Sequence, residues 1–124
     1  MTISRKRKRS IVVDGREYLW WVLIDDDLPF VPSIGKSLKL VDVSGEMFLA
    51  YPLGQVPEIC HVVVIGKRFR TVVACGGSHR RFRCPVFAEG PVVTPADVAA
   101  IIRWAEASGE PMEVNYRGLP LSQK

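Results

Sequence analysis

A chain of 124 residues, 48% of them hydrophobic, can bury one core without covalent staples and is too short for two. The net charge of +4 comes from 17 basic and 13 acidic residues, and five of the basic ones stand together at residues 5–9. The remainder is therefore near neutral, which excludes a domain that is basic all round and confines any contact with a polyanion to patches.

Residues 5–9 lead into two apolar runs joined by Asp14-Gly15, the strongest short-range signal for a two-residue β-hairpin turn. That turn predicts Val13 opposite Arg16, Ile11 opposite Tyr18, Arg9 opposite Trp20, Lys8 opposite Trp21 and Lys6 opposite Leu23, so the basic run lies against two tryptophans. Residues 1–4 are expected to fray. Residues 25–36, with three consecutive aspartates, two prolines and Gly35, read as a loop. A second hairpin is expected from 37–43 and 46–51 around Ser44-Gly45.

Residues 59–65 form the most β-branched stretch and read as a central strand buried on both faces. Gly66-Lys67 then looks like a two-residue turn that returns residues 68–75 against it. On that register Val64 faces Phe69, Val62 faces Thr71 and Cys60 faces Val73, with Cys75 diagonal to Cys60. After the 76–79 turn, 80–84 extends the sheet with Phe82 and Cys84 on one face and Arg81 and Arg83 on the other, until Pro85 stops it.

A helix is expected over 94–108. Thr94 can cap it, Pro95 suits the first helical position, Asp97 the positive end of its dipole, and Gly109 a left-handed stop. Val98, Ile101, Ile102 and Ala105 make one apolar stripe that would cover a sheet face. Residues 112–116 would add a short strand, and 117–124 would be a frayed tail. The expected fold is α+β, a single domain over 1–124. Its antiparallel, strongly curved or barrel-like sheet has five to seven strands built from hairpins and is packed by that one C-terminal helix.

Five groups carry candidate chemistry. Arg5, Arg7 and Arg9 with Trp20 and Trp21 could bind phosphate and stack bases, or could simply be a solvated arm that protects an edge strand. Lys67, Arg68 and Arg70 together with His79, Arg80, Arg81 and Arg83 could cradle an anion, although no phosphate-loop spacing is present and exposed loop arginines are the plainer explanation. Cys75, His79 and Cys84, with Cys60 and His61 close by, include enough soft ligands for zinc. They lack any close Cys or His pairing, so buried inert thiols and no cofactor are expected. The aspartates at 25–27 lack the spaced ligands of a calcium loop. Of Tyr18, Trp20, Trp21 and Trp104, at least two are expected in the core rather than at a ligand pocket or interface.

Three cysteines cannot all pair internally, and the apolar runs at 19–24 and 62–65 are far shorter than the roughly 20 residues of a spanning helix. The expected setting is the cytoplasm, without a membrane role. With no triad, phosphate loop or spaced metal ligands, the expectation is a non-enzymatic protein-binding or accessory module using the aromatic and basic hairpin. Its partner would be another protein or a second copy. The alternative is sequence-tolerant binding of RNA or single-stranded DNA through clusters 5–9, 67–70 and 80–83, provided the three share one face.

Overall fold

The fold is known from a computed structural model, which describes residues 8–24, 36–70, 72–73, 79–88, 92–107 and 109–121. Expectations for residues 1–7, for the 25–35 loop, for Cys75 and the glycines that follow it, and for 122–124 lie outside the described residues.

The first hairpin forms as its turn dictates. Asp14 and Gly15 both take positive φ, 51° and 81°, the pair of left-handed residues that a type I′ turn needs. Strand β1 (Arg9–Val13) then meets β2 (Arg16–Ile24) with Val13 opposite Arg16, Ile11 opposite Tyr18 and Arg9 opposite Trp20. Strands β3 (Lys36–Asp42) and β4 (Phe48–Pro52) follow as a second hairpin, and β5 (His61–Val64) is buried along its whole length. A 3-10 turn at Pro57–Ile59 precedes β5 and shortens the run expected there.

Beyond β5 the chain departs from expectation. Gly66 makes no turn, because Ile65 and Gly66 both donate their N–H to the Phe48 carbonyl, at 2.8 and 3.0 Å, and Lys67 and Arg68 donate theirs to Glu46, at 2.8 and 3.1 Å. The segment hugs the start of β4 so closely that a Cβ on residue 66 would stand 2.3 Å from the Glu46 carbonyl oxygen. Strands β6 (Arg68–Phe69) and β7 (Val72–Val73) pair with each other in a separate two-stranded ribbon. The partner of β5 is instead β8 (Arg80–Arg83), with Val62 opposite Phe82 and His61 opposite Arg83. Val64 therefore faces Arg80 rather than Phe69, which pairs with Val72; Thr71, the expected partner of Val62, lies outside the described residues.

The main sheet runs β1-β2-β3-β4-β5-β8-β9, where β9 is Glu113–Val114, and all its pairings are antiparallel. It does not close into a barrel, since β1 and β9 are its two edges and, among the described residues, pair with no further strand. Residues 117–121, expected as a tail, fold back on β9. Leu121 donates to the Glu113 carbonyl at 3.2 Å, Val114 bridges Pro120, and the Asn115 side chain accepts from the Arg117 and Leu119 amides. Gly118, at φ 82°, lies so close to Ile59 that a Cβ would come within 2.4 Å of its carbonyl oxygen.

Helix α1 (Pro95–Glu106) begins with a full capping box, Thr94 accepting from the Asp97 amide and Asp97 accepting from the Thr94 amide. Its stripe of Val98, Ile101, Ile102 and Ala105 is buried. It packs in one cluster with the inner sheet face, where Tyr18, Trp20, Leu38, Leu40, Leu49, Tyr51, Val62 and Phe82 reside. Leu19, Val41, Ala50, Val63 and Val114, on the opposite face, are buried but stand outside that cluster. No helix among the described residues is long and apolar enough to cross a membrane.

Candidate functional site

Side chains alternate between the two faces of the sheet, so the register decides which cations share a surface. On the inner face the arginines are taken up internally. Arg68 reaches Asp42 at 2.9 Å and forms a short bidentate pair with Glu106, whose other partner is the Tyr18 hydroxyl at 2.6 Å. Arg70, held at φ 52°, donates its backbone N–H to the Ala105 carbonyl and its Nε to the Trp104 carbonyl, while its guanidinium lies 4.6 Å from the Trp104 ring centroid. It therefore caps the carbonyl end of α1 with a cation, where the helix dipole favours one. Arg80 forms a two-pronged pair with Glu113, which holds that carboxyl below its ordinary range.

Asp42, Arg68, Glu106 and Tyr18 make one polar cluster where the helix end meets β2 and β3, flanked by clefts of about 430 and 560 Å³. Burial, together with the hydrogen bond to Glu106, pushes Tyr18 up to about 12. Burial alone would also raise Glu106. The hydrogen bonds from Arg68 and Tyr18, with the charges of Arg68 and Arg16, outweigh it and hold the carboxyl below its usual range. At neutral pH the acid is ionised and the phenol protonated, the reverse of groups poised to exchange a proton. The cluster clamps helix to sheet.

The outer face is different. Its central row runs Trp21, Lys39, Ala50, Val63 and Arg81 across five neighbouring strands. Lys8 adds its ammonium 4.7 Å from the Trp21 ring centroid, and Phe48 lies 6.1 Å from Trp21. In the next row His61 faces Arg83. Ala50 and Val63, between the long flanking side chains, are small and fully buried. Arg83 donates to the Gly118 carbonyl at 2.8 Å, yet among the described residues neither it nor Arg81 meets a carboxylate, and both leave a buried Nε without a hydrogen-bond partner. Burial lowers the affinity of Arg81 for its proton. It also lowers that of His61, where desolvation outweighs the opposing pull of the Ile59 carbonyl and the charges of Arg81 and Arg83 add to it. His61 Nδ1 lies 2.8 Å from that carbonyl, so it carries the hydrogen, and its Nε2 is a buried acceptor with no partner. The carboxylate that the described strands place on this face is Glu17, toward the hairpin turn, where it accepts from Ser10.

The predicted basic clusters therefore divide. Arg68, Arg70 and Arg80 belong to the inner side, Arg81 and Arg83 to the outer, and Lys67 and His79 are exposed. Arg9 lies 5.4 Å from the ring centroid of Trp20, which is itself core, and Arg5 and Arg7 lie outside the described residues. The described members of clusters 5–9, 67–70 and 80–83 do not converge on one surface. Lys39, Phe48 and His61 join the outer face without having been singled out for it, and only the strand register reveals them. Of the soft ligands, Cys84 is buried facing Cys60 while His79 is exposed, and the described residues hold no group of three or more His, Cys, Asp or Glu able to grip a metal. Compared with family models, with curated proteins and with solved structures, the chain matches none.

Proposed function

We propose that this protein is a non-enzymatic, cytoplasmic binding module that takes an acidic segment of a protein partner on its outer sheet face. The observation that carries this reading is that Arg81 and Arg83, which no described carboxylate neutralises, stand on the same sheet face as the half-buried aromatics Trp21 and Phe48, at the other end of its central row. Arginine and aromatic side chains are the residue types enriched at interface centres. A carboxylate arriving there would supply the anionic partner that no described residue provides, in a geometry to which Arg is suited.

A protein segment suits this face better than a nucleic-acid strand. Base stacking needs an open ring face, and Lys8 already lies over Trp21. Selection of displayed peptides against the wild-type chain tests the reading. Acidic sequences with interspersed apolar residues should be enriched, and the double variant Trp21→Ala, Arg81→Gln should lose them. Enrichment without acidic character, or steeply salt-dependent binding of oligo(U) in preference to the selected peptides, would overturn it.

A further inference from the structure

Extending the β5–β8 register by one step from His61 and Arg83 places Cys60 opposite Cys84 on the inner face, and the Cys84 amide donates to the Cys60 carbonyl at 3.0 Å. Directly opposed residues at such a hydrogen-bonded position have Cα atoms about 5.5 Å apart, inside the roughly 4.4–6.8 Å that a disulfide spans. The two sulfurs are already 3.8 Å apart. Bringing them to the bonded separation of about 2.05 Å takes chiefly rotation about the two Cα–Cβ bonds, with no change of register.

The surroundings point the same way. Cys60 Sγ lies 3.7 Å from the Tyr51 hydroxyl and 3.6 Å from the Pro85 carbonyl. The hydrogen bond from Cys84 outweighs burial and, with help from Tyr51, holds the Cys60 thiol below its ordinary range. Burial pushes Cys84 up. Of the two sulfurs Cys60 is thus the one biased toward attack, and Cys84 stands beside it to resolve the product. Cys84 keeps 6% of its surface while Cys60 keeps none, so a small oxidant arrives beside Cys84 and within reach of Cys60.

We propose that Cys60 and Cys84 are a redox pair that a hydroperoxide closes into a cross-strand disulfide. The Cys60 sulfur attacks the peroxide oxygen, giving a sulfenic acid and releasing water or the alcohol. The Cys84 sulfur then displaces the hydroxyl as a second water while the S–S bond forms. Two thiol hydrogens and two electrons leave the protein, and the O–O bond is the one broken. The new bond ties β5 to the start of the strap at residues 84–88. That strap carries Phe87, whose amide donates to the Tyr51 hydroxyl and whose ring meets Trp104 of α1 at 5.9 Å.

The test is peptide mapping of the full chain under non-reducing conditions after treatment with hydrogen peroxide. A Cys60–Cys84 linked peptide is expected, with Cys75 still open to alkylation. The thermal midpoint should rise by on the order of 10 °C and return on adding dithiothreitol. Cys75→Ser should behave as wild type, and Cys84→Ser should show neither the linked peptide nor the shift. A bridge involving Cys75, a dimer joined through any cysteine, or three thiols still alkylatable in denaturant after the treatment would each overturn the proposal. The wild-type map decides the matter even if a variant fails to fold.

Discussion

The two faces of the sheet use the same residue type for opposite ends. On the inner face Arg68 and Arg80 close onto carboxylates, and Arg70 onto the helix carbonyls. On the outer face Arg81 and Arg83, from the same short strand as Arg80, meet no described carboxylate. The adjacent Trp20 and Trp21 repeat the contrast, one in the core and one beside Lys8 and Phe48. A cation that has found its acid is structure. One held half-buried without a described acid is what the proposed binding reading rests on, and strand parity separates Arg80 from Arg81 and Arg83.

That contrast can be broken by mutation. Trp20→Ala should cost about 3–5 kcal/mol by chemical denaturation, because it empties a core site, whereas Trp21→Ala should cost about 1–2 kcal/mol. Equal losses would erase the distinction between the faces. Arg68→Ala leaves Asp42 and Glu106 partly buried without their cation and should cost about 3 kcal/mol, whereas Arg81→Gln should change stability by less than about 1 kcal/mol. Should Arg81→Gln prove as damaging, its role is structural and the outer face loses its claim.

Acid titration sharpens the comparison. His61 sits on the outer face with its folded affinity for protons reduced, so the unfolded chain binds the extra proton first. Stability should be full above the ordinary histidine value of 6.5 and begin to fall as pH drops below it. Glu106, whose carboxyl is held below its ordinary 4.5, contributes stability that is full above that value and lost as pH falls through its lower folded one. Urea midpoints across pH 3–8 should therefore decline in two stages, and His61→Gln should remove only the earlier. The smallest effect is expected from Thr94→Ala, about 1 kcal/mol, since it removes one helix cap remote from both sets of arginines.

The sequence discloses features whose causes are local. Asp14-Gly15 sets the first register because two adjacent residues supply the turn's positive φ angles, and Thr94 with Asp97 sets the helix start because a capping box spans only four residues. The alternation of Phe82 and Cys84 with Arg81 and Arg83 is legible for the same reason. Gly66 misleads because a close backbone approach demands glycine as firmly as a turn does, and the approach is to Glu46, twenty residues earlier. The inner polar cluster is invisible because Arg68 finds Glu106 at a separation of 38 residues, with no periodicity to announce it. His61, expected to be satisfied core, is buried as foreseen, but only one of its ring nitrogens has a partner.

The excursion that separates β5 from β8 also constrains the order of assembly. Strands β1 through β5 join neighbours in sequence, so their loops close at little entropic cost. The β5–β8 seam closes around the β6–β7 ribbon, and the β8–β9 seam around the helix, at greater loop-closure cost. Amides of β8, β9 and the returning segment 117–121 should thus exchange with deuterium through smaller openings than those of β2 and β3.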